Sequence, residues 1–357
     1  MKGIGKMKVV VACGGTGGHA FPGLAVAEEL AKRGHDVTVW DSGRDVESNV
    51  MRSWKGAVFS TGAKQLALKN AFAIFCSIVR CRRKMRRHRP DVLLAMGSYS
   101  SLPPVLAARA YSVPVILHEA NTVPGRAVEF LSRFARKVAI SFKETAKYLH
   151  GAKTVHTGLP VREAITLGKR FDFIPNNSFV LFVTGGSQGA HAVNEVVTEA
   201  VGLVQKELQG RSTSQRPIYV IHQTGRMDEG RVIAAYMTNA IPSRVKAFED
   251  RMADAFASAD LVIARSGAST CFELAACGKP TLFIPLPSAM RNHQHFNAEA
   301  FVKAGAADEA HQSKLTADQL ARYIVQCYDN GAKLEAMSAK IKAMALTDAA
   351  KRVADLI

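Results

Sequence analysis

The sequence predicts an α/β protein built from two doubly wound domains, and three observations support this prediction. Short apolar runs alternate with helix-length patterns along the 357 residues. The runs are continuously apolar, which is typical of parallel strands buried on both faces. One opening, a buried strand followed by a glycine-rich turn and a helix, occurs at 8–30 and again at 179–200. The length also fits two domains of ordinary size.

Each predicted strand is a short apolar run bounded by turn residues, and each predicted helix is longer and amphipathic. In the first half, strands are predicted at 8–12, 36–40, 92–96, 115–118 and 137–140, with helices at 22–33 and 102–111. In the second half, strands are predicted at 179–183, 218–222, 245–248, 261–264 and 281–284, with helices at 190–208 and 269–277. The last segment, 334–357, has a helical pattern with a break near Asp348.

The repeated opening sets the domain prediction. We expect an N-terminal domain at 1–163 and a C-terminal domain at 164–340, with a linker at 168–178. The terminal helical segment, at about 341–357, is expected to pack back on the N-terminal domain.

Charge is distributed unevenly between the two halves. The chain carries 47 Lys and Arg against 30 Asp and Glu, a formal net charge of +17. Residues 1–160 hold 25 basic and 10 acidic residues, whereas residues 161–357 hold 22 and 20. Such asymmetry predicts that the first half meets a polyanion, either a nucleic acid or an anionic membrane surface.

Composition excludes several classes of protein. An apolar content of 48% is too high for a disordered chain. The six cysteines form no C-x-x-C pair, which favours a reduced, cytoplasmic compartment. The apolar run at the N-terminus stops at a glycine-rich turn, so a signal peptide is not expected. The longest other apolar stretch, 71–79, is far shorter than the roughly 20 residues that span a bilayer.

The two glycine-rich turns, 14–18 and 185–189, are the first candidate binding elements. Backbone N–H groups in such a turn, together with the dipole of the following helix, suit an anion. Neither turn matches G-x-x-x-x-G-K-[ST], the pattern of nucleoside triphosphatases that bind phosphate through a P-loop. Ser187 and Gln188 add side-chain donors to the second turn, which suits a diphosphate. A tight turn without a ligand is the alternative interpretation of either one.

His19 lies at the start of a predicted helix, and Glu273 lies about one turn into another. Histidine titrates near neutral pH, so His19 is a candidate general base for a hydroxyl nucleophile. Glu273 follows the turn Arg265-Ser266-Gly267, and its carboxylate suits the vicinal diol of a ribose. The alternatives are a solvent-exposed histidine and an ordinary acidic residue favoured by the helix dipole.

Polar residues also follow other predicted strands, where ligands bind in open α/β sheets. The segment 285–297 contains Asn292, His293, Gln294 and Asn297, which suit sugar hydroxyls, and the segment 118–121 adds His-Glu-Ala-Asn. His293 and His295 are spaced i, i+2 without a nearby carboxylate in sequence, which is poor zinc geometry. The chain has no Asp-x-Asp motif. We therefore expect neither a metal nor a cofactor.

The segment 56–90 is strongly basic, with nine Lys and Arg and no acidic residue. Apolar residues precede the arginines, a combination that fits contact with an anionic membrane surface. The predicted contact residues are Phe72, Phe75, Ile78, Val79, Arg80, Arg82 and Arg83. A helix with an apolar core face and solvated charges is the alternative interpretation. Nucleic acid is not expected, because no recognised binding motif is present and no aromatic residue lies among the arginines.

Six segments together resemble the MurG family, the peptidoglycan N-acetylglucosaminyltransferases. In chain order they are GGTGGHAFPGLAVAEEL, HEAN, TGLPVR, GGSQGAHAVNE, ARSGASTCFE and HQHFNA. The resemblance covers nearly the whole chain. It implies a metal-independent enzyme of the GT-B type, with two Rossmann-like domains facing a cleft. The implied reaction moves GlcNAc from UDP-GlcNAc to the 4-hydroxyl of lipid I, with inversion, at the cytoplasmic face of the inner membrane. The resemblance also implies partner proteins of cell-wall synthesis.

The resemblance also implies roles for individual residues. The donor UDP-GlcNAc would be bound by Thr16, Gly17, Gly18, Asn121, Arg162, Ser187, Ala268, Ser269, Thr270, Cys271, Phe272, Glu273 and Gln294, and by the backbone of Glu249. We add Gln188 and Arg265 as side chains that donate hydrogen bonds to the diphosphate. His19 is the first candidate for the base, and Glu119 is the second. Four positions depart from the family pattern: Val128, the segment around Ser98, Asn292 and Glu249. The first two lie in the half expected to bind the acceptor.

Four alternatives stay open at this point. A GT-B transferase could act on another lipid acceptor, such as diacylglycerol. A UDP-GlcNAc 2-epimerase has the same fold, although the basic segment would then be unexplained. A non-catalytic subunit could bind a nucleotide sugar or the membrane. A nucleic-acid binder would need affinity for duplex DNA that persists above about 200 mM salt.

Overall fold

The computed structural model describes residues 5–15, 17–44, 51, 54–65, 67–186, 189–211 and 216–357. They fall into two compact units. Unit 1 holds Met1–Arg162 and Leu346–Ile357, and unit 2 holds Glu163–Ala345. Each unit carries a parallel sheet with helices on its faces. The predicted doubly wound α/β class is therefore confirmed.

Unit 1 is built on one sheet with the order β3-β2-β1-β4-β5-β6-β7. Its strands are β1 Lys8–Ala12, β2 Asp36–Asp41, β3 Ala57–Ser60, β4 Val92–Ala95, β5 Val115–Glu119, β6 Lys137–Ile140 and β7 Thr154–His156. Its helices are α1 Gly17–Lys32, α2 Ala71–His88, α3 Leu102–Ala110 and α4 Arg126–Leu131. Short 3₁₀ turns lie at Leu68–Asn70, Tyr99–Ser101, Ser132–Phe134 and Lys143–Tyr148. The strand order reverses between β1 and β4, the position where such sheets bind ligands.

The central strand of unit 1 is buried on both faces. Val9 and Val11 pack into one apolar cluster, whereas Val10 and Ala12 pack into the other. This alternation follows from the two-residue period of a strand. Because both faces are covered, every residue after Lys8 in β1 is apolar, and the strand could be recognised from sequence.

Unit 2 repeats this plan with the sheet order β10-β9-β8-β11-β12-β13. Its strands are β8 Phe179–Thr184, β9 Ile218–Gln223, β10 Ser243–Lys246, β11 Leu261–Ala264, β12 Thr281–Phe283 and β13 Asp308–Glu309. Its helices are α5 His191–Gln209, α6 Glu229–Thr238, α7 Met252–Ser258, α8 Ala268–Cys277, α9 His293–Lys303, α10 Ala317–Asp329 and α11 Gly331–Ala343, with 3₁₀ turns at Glu163–Thr166 and Met290–Asn292. All its strand pairs are parallel, and its order reverses between β8 and β11.

The end of the chain returns to unit 1 as α12, Ala349–Ala354. Val353 and Ala354 join the apolar cluster that contains α1. Arg33 at the end of α1 donates to Asp355 at 2.7 Å.

Three sequence predictions need correction. The segment 168–178 is not a linker, because Phe171 and Ile174 are 2% exposed and the Phe171 N–H donates to Ser258 Oγ at 3.0 Å. The strand predicted at 245–248 lies two residues earlier, at Ser243–Lys246. Helix α1 begins at Gly17, within the glycine-rich segment 14–18, so Pro22 lies inside the helix rather than at its start and costs it one backbone hydrogen bond.

Candidate functional site

The loops after β1 and β4 meet at the carboxyl edge of the unit 1 sheet. Gly15 has a φ of +114°, and a Cβ on it would collide with the side chain of Ser98. The Ser100 hydroxyl donates to the Gly14 carbonyl at 2.5 Å, and Arg44 donates to the Gly15 carbonyl at 2.9 Å. Glycine is required here because the two loops approach so closely. Thr16, which was predicted to bind the donor, lies outside the described residues.

His19 is the third residue of α1 and lies at this same edge. A Cβ built on Gly97 would be 3.9 Å from His19 Cε1, 3.3 Å from Val128 and 3.0 Å from the His118 carbonyl. The structure therefore brings His19 beside the ends of β4 and β5. Val128, one of the departures from the family pattern, is buried in the core. Ser98, a second departure, has a φ of +67°, which is strained for a non-glycine residue.

Glu119 ends β5 and organises the loop that follows it. Glu119 as a whole is 2% exposed. Oε1 accepts from the Asn121 backbone N–H at 2.9 Å and from the Asn121 side-chain amide at 3.2 Å, and Oε2 accepts from the Gly125 N–H at 3.0 Å. Burial raises the pKa of Glu119 to about 7, although these hydrogen bonds act in the opposite direction. Asn121 is thus held in place by Glu119.

Neighbouring His118 is fully buried, and burial lowers its pKa to about 4. The two groups therefore act oppositely on stability. Glu119 holds its proton to a higher pH in the folded state, so its contribution falls as pH rises from about 4.5 to 7. The unfolded chain binds more protons at His118 between about pH 4 and 6.5, so that contribution rises with pH.

We expect the Glu119→Gln variant to lose the contribution to stability that falls as pH rises. Its free energy of unfolding should rise with pH more steeply than that of the wild-type protein between about pH 5 and pH 7, by up to about 1.4 kcal/mol per pH unit. Urea denaturation across this range measures the difference. Glu144→Gln, at an exposed position of unit 1, is the control and should match the wild-type slope. Parallel curves for Glu119→Gln and wild type would contradict the assignment.

Arg162, at the end of unit 1, lies over the Phe21 ring at 3.9 Å from its centroid. Phe21 is two residues beyond His19 on α1. The structure therefore places Arg162, which is far from His19 in sequence, against the same helix. Gly17 and Gly18 form the first residues of this helix.

In unit 2, the second glycine-rich turn is shaped by its neighbours. Gly186 and Gly189 have φ values of +84° and +75°. A Cβ on Gly189 would collide with the Thr224 carbonyl, so the turn lies directly against the end of β9. Gln223 donates to the Gly186 carbonyl at 3.0 Å. Ser187 and Gln188, both predicted diphosphate donors, lie outside the described residues.

Helix α8 presents a half-exposed edge at the carboxyl end of β11. Ser269, Thr270 and Glu273 are half-buried, and a Cβ on Gly267 would have open space around it. Ala268, Cys271 and Phe272 are buried. Of the predicted donor residues on α8, only Ser269, Thr270 and Glu273 therefore offer accessible side chains.

Arg265 and Gln294 hold the loop that follows β12. Arg265 is 8% exposed and donates to the carbonyls of Ile284 and Pro285 at 2.9 and 3.0 Å, and to Gln312 at 2.6 Å. Gln294 Oε1 accepts from the Leu286 N–H at 2.9 Å. These contacts fix the segment 284–286 on both sides.

Glu249 is also committed to protein contacts. Its carboxylate accepts from Arg244 at 2.7 and 3.1 Å, and its backbone N–H donates to Gln223 Oε1 at 3.1 Å. Gln223 therefore joins the glycine-rich turn to the segment that contains Glu249. Sequence reasoning missed Gln223 and Gln312, because a single glutamine carries no local signal of a contact this distant in sequence.

Helix α2 carries the predicted membrane residues. Its buried positions, Ser77, Cys81 and Met85, follow a four-residue spacing that marks the face against the core. Phe72 and Phe75 are 79% and 61% exposed, and Ile78 and Val79 are half-buried. Arg80, Arg82 and Arg83 are exposed. Two exposed phenylalanines and three exposed arginines therefore lie on the same helix. Among the helices of the described residues, none has the length and apolarity needed to cross a membrane.

Comparison with known proteins places both units in one family of enzymes. The model of the glycosyltransferase family 28 N-terminal domain matches residues 9–140, and the model of the C-terminal domain matches residues 180–353. A protein of Trichlorobacter lovleyi described as UDP-N-acetylglucosamine--N-acetylmuramyl-(pentapeptide) pyrophosphoryl-undecaprenol N-acetylglucosamine transferase is 37% identical over 375 residues. The match covers 98% of this chain and 97% of that protein.

Solved structures agree with this result. MurG of Acinetobacter baumannii superimposes with a TM-score of 0.78 at 30% identity, covering 99% of both chains. UDP-GlcNAc 2-epimerase of Neisseria meningitidis, solved bound to UDP-GlcNAc, has a TM-score of 0.74 at 15% identity, covering 98% of this chain and 99% of that one. The epimerase likeness concerns the fold alone. Together with the family models, the MurG structure confirms the predicted GT-B class.

Proposed function

This chain belongs to glycosyltransferase family 28 and, within it, to the MurG N-acetylglucosaminyltransferases, and from that membership we propose that it converts lipid I to lipid II. It transfers GlcNAc from UDP-GlcNAc to the 4-hydroxyl of N-acetylmuramoyl-pentapeptide linked to undecaprenyl diphosphate. The observation that carries this is the 37% identity over 98% of the chain to a curated enzyme of that activity. The step supplies the precursor of peptidoglycan and so serves cell-wall growth and division.

Most residues proposed to bind UDP-GlcNAc lie on unit 2. The carboxylate of Glu273, half-exposed on α8, accepts from the ribose hydroxyls, and Ser269 and Thr270 beside it face the same ligand. Gln294 contacts the sugar, and the backbone at Glu249 contacts the uracil. Cys271, Phe272 and Ala268 contribute through their backbone, because their side chains are buried.

The diphosphate charge is stabilised by backbone and side-chain donors. These are the turn 185–189 with Ser187 and Gln188, and the amino end of α8, because the amino end of a helix carries partial positive charge and attracts anions. Donors of this kind stabilise the charge that develops on UDP as it leaves. Arg265 acts as a positioning residue, because its guanidinium holds the carbonyls of Ile284 and Pro285.

The residues proposed to act on the acceptor hydroxyl lie on unit 1. The acceptor 4-oxygen attacks the anomeric carbon of GlcNAc as the bond from that carbon to the UDP oxygen breaks, which inverts the configuration. His19 takes the proton from the attacking hydroxyl, a role that suits an imidazole near neutral pH. Glu119, whose two carboxylate oxygens hold Asn121 and Gly125, positions the adjacent loop and remains the second candidate for the base.

The enzyme is proposed to work as a peripheral protein on the cytoplasmic face of the inner membrane, where an undecaprenyl-linked acceptor is anchored. Helix α2 is the proposed contact. Its exposed Phe72 and Phe75 would enter the interface, and Arg80, Arg82 and Arg83 would meet anionic headgroups. Other proteins of cell-wall synthesis are proposed as further partners.

Replacing Arg80, Arg82 and Arg83 together by glutamate should release the protein from anionic vesicles. Each basic residue near such a surface adds about 1 kcal/mol, so three reversals should lower the partition coefficient at least about a hundredfold. Co-sedimentation with phosphatidylglycerol vesicles measures it. The matched control reverses Lys206, Lys314 and Arg322, three exposed basic residues of unit 2, and should bind as wild type. Equal binding by both triple variants would favour a solvated helix face.

Transfer of labelled GlcNAc to a short-chain lipid I analogue, with EDTA present, tests the reaction itself. Lipid II product establishes the reaction, the acceptor and independence from metal together. Hydrolysis or binding of UDP-GlcNAc without product would point to another acceptor, such as diacylglycerol, or to epimerase chemistry. Neither binding nor turnover would favour a non-catalytic subunit.

A further inference from the structure

A second group of reactive side chains lies on unit 2, apart from the residues assigned above. His295 is the third residue of α9, Glu309 ends the outermost strand β13, and His311 follows two residues later. One nitrogen from each histidine and one oxygen of Glu309 all lie within 4.8 Å of one another. His295 Nδ1 is 2.7 Å from Glu309 Oε1, and the two imidazole centroids are 5.6 Å apart. The spacing of His293 and His295 on α9 could not reveal this cluster, because its carboxylate comes from strand β13, 14 residues beyond His295.

The partners of Glu309 differ from those of the neighbouring acidic residue, Asp308. Asp308 accepts from Tyr323 at 2.9 Å and pairs with Lys333 at 2.8 Å, so ordinary polar partners satisfy it. Glu309 instead faces imidazole. Two imidazole nitrogens and one carboxylate oxygen are a donor set that binds zinc and related transition metals.

The geometry allows such an ion to bind with small adjustments. Zinc bonds of about 2.0–2.2 Å in a tetrahedron place ligand atoms roughly 3.3 Å apart, a separation that lies between the 2.7 Å contact and the 4.8 Å limit of the cluster. The side chains of His295 and Glu309 are 28% and 11% exposed, and His311 is exposed. The ion would therefore reach the cluster from solvent and keep water as a further ligand.

We propose that His295, Glu309 and His311 bind one divalent transition-metal ion of the zinc class. The ion would join α9 to the loop between β13 and α10. This site is separate from the transfer chemistry, which needs no metal in the proposed mechanism.

Because of where the cluster lies, a bound ion should affect the binding of UDP-GlcNAc. His295 follows Gln294, which holds Leu286, and His311 precedes Gln312, which holds Arg265. An ion coordinated by His295 and His311 would restrict the motion of the neighbouring Gln294 and Gln312, and so of the segment 284–286 that they help to position. Tighter UDP-GlcNAc binding in the presence of zinc is therefore expected. That effect rests on the proposed function, whereas metal binding itself does not.

Metal binding is tested on the untagged full-length chain after EDTA treatment and removal of the chelator. Zn²⁺ is titrated in competition with a chromophoric chelator, and Co²⁺ is used as a spectroscopic substitute. We expect one high-affinity equivalent per chain, weakened at least about tenfold in Glu309→Gln and in His311→Ala. The matched control is His293→Ala, which should bind as wild type. The His293 ring contacts the Met290 carbonyl at 2.8 Å instead of the cluster.

A second readout needs no variant and is therefore independent of misfolding. Zn²⁺ should protect His295 and His311, but not His293, from carbethoxylation measured by mass spectrometry. Three results would each overturn the proposal. They are the absence of a stoichiometric equivalent, unchanged affinity in the Glu309→Gln/His311→Ala double variant, and carbethoxylation of His295 and His311 that Zn²⁺ does not reduce. Transferase activity in EDTA is a separate measurement, so failure of the metal site and failure of the proposed function can be told apart.

Discussion

Replacing His19 by alanine is expected to lower turnover by about 10²- to 10⁴-fold, the range that a general base contributes. The affinity for UDP-GlcNAc should change little, because Glu273, Ser269 and Gln294, which are proposed to bind this substrate, lie on unit 2. A loss in kcat without a matching loss in donor binding is the pattern of an interaction made in the transition state. Steady-state kinetics with a lipid I analogue, together with calorimetry of UDP-GlcNAc binding, measure both quantities.

His35→Ala is the matched control for this variant. His35 accepts from the Met7 N–H at 3.2 Å at the opposite, amino edge of the same sheet. It should therefore keep normal turnover. A general base also sets the acidic limb of the pH profile, so His19→Ala should flatten that limb, an effect that a merely structural residue would not produce. Near-normal turnover in His19→Ala would exclude it as the base and leave Glu119 as the candidate.

The second large effect is expected from Glu273→Ala on donor affinity. A carboxylate that accepts from ribose hydroxyls makes hydrogen bonds to a charged group, which contribute about 1.5–3 kcal/mol each. Loss of one or two such bonds predicts at least about a tenfold weaker affinity for UDP and for UDP-GlcNAc alike, because both contain the ribose. Calorimetric titration with each ligand measures this. Uridine monophosphate should lose affinity in proportion, since it contains the same ribose.

Glu335→Ala controls for the removal of a negative charge from unit 2. Glu335 is exposed on α11, a different helix from α8. Its variant should bind UDP as wild type. Unchanged UDP affinity in Glu273→Ala would remove the ribose role and leave an acid at a helix start as the remaining interpretation.

The interior of both sheets could be predicted from sequence, whereas their edges could not. Strands β1, β6 and β11 match the predicted bounds, and the other interior strands differ by a residue at an end. The four edge strands β3, β7, β10 and β13 were missed or, for β10, misplaced. Interior strands are covered on both faces and so must be continuously apolar. An edge strand is partly exposed, and its short segment carries no such constraint.

The glycine-rich turns and the residues beside them were also within reach of the sequence. Gly15 and Gly189 lie where another loop approaches too closely for a side chain, and such positions demand glycine. What local patterns could not reveal is how side chains are used. The sequence suggested Arg265 as a donor to the diphosphate, but the structure places its guanidinium on two carbonyls and on Gln312.

Sequence alone was thus enough for the fold class, the family and the order of the motifs, because burial and backbone conformation constrain residues that are close together in the chain. Tertiary structure decided which distant residues meet. It brought Glu309 and His311 to His295, set Glu119 to hold Asn121 and Gly125, and turned Phe72 and Phe75 of α2 outward. Contacts between distant segments depend on the three-dimensional arrangement of strands and helices. The residues that make these contacts follow no periodic pattern in the sequence, so sequence patterns cannot reveal them.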